Sequence, residues 1–179
     1  MGFLYEAAEN AVKTYETRDP YKLLDAIGAK IEIKYGYEPN GLKGYSTIIN
    51  RVMFAVINGH LNEHEQRIVA GHEAAHLIIH KAEILQSPAK ALRDFNIYNN
   101  SGRLENEANG FLADFLVSDD DVMESIRYDD RDYFATAREL YIPPPLLAFK
   151  LYSMARRGFD VRNPVDLQSG FLGRNKNMW

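Results

Sequence analysis

Residues 62–80 read NEHEQRIVAGHEAAHLIIH. The spacing predicts one helix. Asn62 is suited to the N-cap, and Glu65 three residues on completes a capping-box-like start. No proline interrupts the run, and only Gly71 weakens it, by roughly 1 kcal/mol relative to alanine. Ile68, Val69, Ala70, Ala74, Ala75, Leu77, Ile78 and Ile79 point in nearly every direction around the axis, so burial on most sides is expected. His72 and His76 fall in the same angular sector as Ile68, Ala75 and Ile79. A single imidazole there is explained by a hydrogen-bonded core histidine. Two, one turn apart on one face, are better explained by a shared ligand.

The segment His72-Glu73-Ala74-Ala75-His76 is an H-E-x-x-H motif. The i, i+4 spacing puts both imidazoles on one side of the helix, close enough to bind one Zn²⁺. Glu73 is offset by about 100° from His72, which lets it flank the metal and act as general base toward a water that the metal activates. His80 continues the ladder and is expected to support the site or to face solvent rather than to ligate. His60 and His64 are given no role.

The chain has 179 residues, of which 46% are hydrophobic and 26% charged, as expected for one globular domain with a real core. The formal net charge of −4 gives no electrostatic case for nucleic acid. There is no cysteine, so thiolate sites are excluded and any zinc is held by histidine and carboxylate. The start, MGFLYEAAEN, matches neither a secretory signal nor a myristoylation pattern, and no apolar run reaches membrane-spanning length. A soluble, cytoplasmic protein is the expectation.

Around the motif the pattern alternates between helix and strand signals. Residues 3–17 carry apolar positions at helical spacing, and Asp19-Pro20 starts a short helix through Ile27 that ends at Gly28. Lys30–Tyr35, Tyr45–Ile49 and Val52–Ile57 read as strands, the last two flanking Asn50-Arg51, with turns at Gly36–Gly44 and Asn58-Gly59. A small sheet packed beside the motif helix follows. Its edge could take an extended peptide by strand addition. Ser87-Pro88 breaks the chain, Ala89–Phe95 is expected as a helical turn, and Asn99–Gly102 as a loop.

Leu104–Val117 (LENEANGFLADFLV) is a second helix, with Leu104, Ala108, Phe111, Leu112, Phe115 and Leu116 in one apolar stripe. Glu105 lies near the edge of that stripe and faces inward, whereas Glu107 points away. An acid on a buried face needs a partner, and a zinc ion held by two histidines needs a third protein ligand. Glu105 meets both needs; a pairing with an arginine such as Arg103 is the alternative. Asn109, one turn on, is placed to hydrogen-bond behind the ligands. Ser118 caps a helix over Asp119–Ile126, Asp130–Leu140 forms another, and Pro143–Arg157 a third that Gly158 ends. The last two resemble a helix-turn-helix in outline, but the acidic stretches 119–121 and 129–132 favour packing over DNA. Residues 1–160 are expected as one domain, with a helical subdomain from about 118 to 160, and 161–179 as a tail.

GHEAAHLIIH followed by ENEANGFLADFLV resembles the ImmA/IrrE family of zinc metallo-endopeptidases, which pair an H-E-x-x-H helix with a helix patterned E-x-x-A-N-x-F-A-x-x-L-L-x-P. The likeness extends to Val56–Asn58 before the motif and to Ala137–Leu147 after it. The resemblance implies a zincin-like α+β fold, a small β-sheet packed on the H-E-x-x-H helix and a helical C-terminal part. It implies His72, His76 and Glu105 as zinc ligands and Glu73 as the catalytic acid. Ala75 and Leu112 depart from the family's usual Gly and Ala, Ser118 from its Pro, and Pro143–Pro145 from its Val-Ser; no ligand is touched. Members of this short architecture are typically carried on phages or mobile elements and cleave a helix-turn-helix repressor, so such a repressor is the implied protein substrate. The competing reading is a non-proteolytic anti-repressor that keeps zinc as a structural clamp; the intact Glu73 favours the enzyme. Tyr45, Tyr98, His80 and Arg103 are all candidate oxyanion donors, unranked by the sequence.

Overall fold

In the computed structural model, residues 2–87, 91–94, 102–127 and 132–161 are described. Among them are α1 (Gly2–Tyr15), α2 (Pro20–Ala26), β1 (Lys30–Lys34), β2 (Gly44–Ile49), β3 (Val52–Asn58), α3 (Glu63–Ile79), α4 (Lys81–Gln86), β4 (Ala91–Asp94), α5 (Arg103–Leu116), α6 (Asp119–Arg127), α7 (Tyr133–Glu139) and α8 (Pro144–Arg156). The result is a mixed α+β protein. The chain divides into two compact units, Glu9–Ile97 and Met1–Ala8 with Tyr98–Trp179.

The unit Glu9–Ile97 is a four-stranded sheet in the order β1-β3-β2-β4, with helices packed against it. β1 runs parallel to β3; β2 is antiparallel to both β3 and β4. The β2–β3 hairpin turns on Asn50 and Arg51, which both adopt positive φ (50° and 67°). That left-handed pair matches the twist of the flanking strands, and asparagine tolerates it better than most residues. α3 packs on β2 and β3, and α2 packs on α3. Asp19 caps α2, its Oδ1 accepting from the Lys22 N–H at 2.9 Å, and Gly28 at φ +75° ends it.

One expectation is corrected here. Within Ala89–Phe95, Ala91–Asp94 forms strand β4 and not a helical turn, pairing with Gly44–Thr47 of β2. Cross-strand pairing supplies what this short, mixed segment lacks in propensity of its own. The expected loop at Asn99–Gly102 lies outside the described residues except for Gly102, which occupies the N-cap position of α5. The tail 161–179 also lies outside them beyond Val161.

The second unit is helical in its described residues. α5 packs on α8, and α7 on both α6 and α8. Phe111, Leu112, Phe115, Leu146, Leu147 and Met154 are fully buried, and sequestering side chains of this size is worth about 1.5–3 kcal/mol each. Pro144 and Pro145 sit in the first turn of α8, where their missing N–H groups leave no helical bond unmade. Among the described residues no helix is long and apolar enough to cross a membrane.

The same unit buries a charge cluster that sequence reading missed. Lys150 on α8 is fully buried and donates to Asp114 of α5 at 3.1 Å; it also pairs with Asp119 of α6 at 2.8 Å. Arg157 forks onto Asp119 at 2.5 and 2.7 Å and lies over the Tyr5 ring, 3.6 Å from its centroid. Ser153 donates its hydroxyl proton to Asp114 at 2.7 Å. Burial pushes the Asp114 carboxyl above its ordinary pKa. Burial also raises Asp119, but the hydrogen bonds from Arg157 and Lys150, with the positive charges of both, outweigh it and hold that group at about 2. A signal for this cluster was present: a lone lysine in LLAFKLYSM and a lone aspartate in FLADFLV.

Candidate metal centre

α3 forms as its sequence predicts. The Glu65 N–H donates to Asn62 Oδ1 at 2.9 Å, and the Asn62 N–H donates back to Glu65 Oε2 at 3.1 Å, a complete capping box. From Ile68 to Leu77 every residue is buried. Within that run His72 and His76 turn their Nε2 atoms toward each other, 3.0 Å apart. Two ligands on a tetrahedral Zn²⁺ at about 2.0–2.1 Å stand roughly 3.3 Å from each other, so the observed spacing is close to what one ion requires.

His80 closes the row on the other side. It is buried, and its Nδ1 lies 2.9 Å from His76 Nδ1. Burial removes the solvent-facing role, leaving His80 in contact with the far nitrogen of His76. Such a contact fixes ring orientation and selects which nitrogen carries the proton.

Glu73 is buried at 1% exposure. Its surroundings are set from the sheet. At Gly44, the first residue of β2, a Cβ atom would stand 2.5 Å from Val69 Cγ1, 2.8 Å from Glu73 Oε1 and 3.0 Å from the Val56 carbonyl oxygen. Val69 and Glu73 are one helical turn apart, so this bare strand position lies against the face of α3 that carries the acid.

The loop entering Gly44 is tied down by Asn58, at the end of β3 and fully buried. Its Nδ2 donates to the carbonyls of Glu38 (3.0 Å) and Leu42 (2.9 Å), and its Oδ1 accepts from the His60 N–H at 3.0 Å.

On α5, Glu105 is buried at 7% exposure, as its inward place at the edge of the apolar stripe predicts, and Asn109 is buried at 2%. Arg103 Nη1 donates to both carboxylate oxygens of Glu107, at 2.8 and 2.9 Å, an exposed i, i+4 pair of small energetic weight. Ligand atoms of His72, His76 and Glu105 all lie within 4.8 Å of one another. Two imidazole nitrogens and one carboxylate oxygen, all buried, form a group able to hold a metal ion, and this donor set suits a borderline cation.

The chain belongs to the Peptidase_M78 family. The model of that family, the IrrE N-terminal-like domain, matches residues 31–152, which include His72, Glu73, His76 and Glu105. No curated protein matches the chain. Membership in a peptidase family, together with the buried His-His-Glu group, points to a metallopeptidase.

Of the four candidate oxyanion donors, Tyr98 lies outside the described residues. Tyr45 follows Gly44 on β2, and successive strand residues face opposite sides of a sheet. Gly44 faces α3, so Tyr45 faces the other side. There, burial and a hydrogen bond with Tyr37 raise its hydroxyl above the ordinary tyrosine pKa. Arg103 is exposed on Glu107. His80 is in contact with His76 of the motif.

Proposed function

We propose that this chain is a zinc-dependent endopeptidase of zincin-like fold in which residues 1–160 act as one catalytic domain. His72, His76 and Glu105 hold the metal, and Glu73 is the general base. The observation that carries the reading is the buried His-His-Glu group, with a buried glutamate, Glu73, on the helix that supplies both histidines. A metal held by His72, His76 and Glu105 would supply Lewis-acid chemistry, acidifying a water toward a pKa of about 7 and polarising a carbonyl. The chain's own residues do the rest. Glu73 takes the proton from the attacking water and returns it to the nitrogen of the departing amine. His80 orients His76, and Asn109 hydrogen-bonds behind the Glu105 carboxylate. Buried apolar neighbours on α3, Ile68, Ala75 and Leu77, exclude bulk water and strengthen each charge interaction within.

For the substrate, we infer a helix-turn-helix transcriptional repressor of a phage or mobile element, cleaved in the cytoplasm within an extended or locally unfolded segment. Extended backbone is needed because a carbonyl inside a helix or sheet cannot reach the helix face that carries Glu73 without local opening. The test is incubation with a repressor encoded beside this chain, with and without chelator, using wild type and Glu73→Gln. Chelator-sensitive fragments made by wild type alone support the reading. A tight complex that relieves repression and yields no fragments would instead make the protein an anti-repressor with a structural zinc.

A further inference from the structure

We propose that Gly44 is a positioning residue for Glu73: the side chain missing from the first residue of β2 creates the slot in which the Glu73 carboxylate is held. This rests on the reading of Glu73 as general base.

Three observations carry it. A Cβ at Gly44 would come within 2.8 Å of Glu73 Oε1 and 2.5 Å of Val69 Cγ1, closer than real Cβ contacts allow. Gly44 is held in the sheet from both sides, opposite Ile57 of β3 and Asp94 of β4, so the strand cannot easily retreat. The loop before it is anchored as well. The Asn58 N–H donates to the Lys43 carbonyl at 2.9 Å, and the Asn58 side chain holds the Glu38 and Leu42 carbonyls. With the strand fixed and Glu73 Oε1 at the surface of the vacant volume, an added methyl group has to displace either the carboxylate or α3 itself. Left-handed backbone is not the reason for glycine here, because Gly44 is a paired strand residue outside the positive-φ set. The requirement is for space.

The slot has two walls on α3, and they are separable by mutation. Val69→Ala removes the Cγ1 atom that a new methyl would strike, but leaves the contact with Glu73 Oε1. Four proteins are compared as zinc-loaded full chains: wild type, Gly44→Ala, Val69→Ala, and the Gly44→Ala/Val69→Ala double variant. Glu73→Gln identifies the Glu73 signal. The first readout is the ¹³C resonance of the Glu73 side-chain carboxyl, assigned by its loss in Glu73→Gln. The second is zinc content, and the third is kcat and KM on a pool of short fluorescence-quenched peptides.

The expected result is that the Glu73 resonance moves in Gly44→Ala and stays moved in the double variant, while Val69→Ala leaves it in place. Zinc stays at the wild-type content throughout. Hydrolysis by the two Gly44→Ala proteins falls at least 10-fold in kcat with KM little changed, since loss of a positioned base is worth on the order of 10²–10⁴. An unmoved resonance in Gly44→Ala overturns the proposal, as does a double variant with wild-type kcat, which would reduce Gly44 to packing against Val69. Failure of the underlying reading looks different: Glu73→Gln then matches wild type on the peptide pool, whatever the resonance does. If the wild type itself leaves the pool uncut, the resonance alone decides between the slot and its absence.

Discussion

His76 turns its Nδ1 toward His80 Nδ1, 2.9 Å away, leaving its Nε2 to face His72. A ring held at one nitrogen presents the other in a defined direction and tautomer. On the proposed reading, His80→Ala therefore weakens metal binding by about 10–100-fold without abolishing it. Competition against a chromophoric chelator measures this directly. Unchanged affinity would assign His80 to packing alone.

Glu73 is adjacent to a proposed ligand without being one. Glu73→Gln is expected to keep the fold and the metal and to lose peptide hydrolysis by on the order of 10²–10⁴-fold. Circular dichroism, metal analysis and a cleavage assay on one preparation check the three parts together. Equal hydrolysis by the variant and wild type would remove Glu73 from the mechanism.

Lys150 is buried between Asp114 and Asp119. Lys150→Met keeps the apolar stem but removes the buried cation between the two carboxylates, leaving Arg157, which is bonded to Asp119 and lies 3.9 Å from Asp114. Removing one partner of a buried ion pair typically costs about 3–5 kcal/mol, and urea denaturation should show a loss of that order. The Asp114 pKa, already raised by burial, moves further up in the variant. A loss below about 1 kcal/mol would mean that water reaches the cluster.

The motif helix was legible because its signals are local. Asn62 and Glu65 cap it, and the facing histidines sit one turn apart. Glu105 was legible from a helical stripe, because a buried acid requires a partner wherever the rest of the chain runs. The Lys150 cluster was not, since Asp114 lies 36 residues from Lys150 and 39 from Ser153 and only packing joins them. β4 was missed because its pairing partner, and not its composition, makes it a strand. Gly44 read as the end of a turn; that it leaves room for Glu73 depends on how closely α3 approaches β2.

Asp119 predicts a stability change in acid. Its folded pKa, about 2, lies below the ordinary 3.8. The stabilisation it contributes is therefore fully present above about pH 4 and is lost as pH falls through about 2. Comparing wild type with Asp119→Asn isolates this contribution, so the difference in unfolding free energy between the two should shrink from pH 4 to pH 2. A constant difference across that window would show that Asp119 does not depend on its charge.

On the proposed reading, His72, His76 and Glu105 together hold one metal ion. This is tested most directly by the zinc content per chain of wild type, Glu105→Ala and Glu107→Ala, purified alike and dialysed against a weak chelator. Glu107 sits two residues along α5 and pairs with the exposed Arg103, so it controls for the loss of an acid from the same helix. One zinc per chain is expected in wild type and Glu107→Ala, and strong loss in Glu105→Ala. Full zinc in Glu105→Ala with loss in Glu107→Ala would contradict that reading.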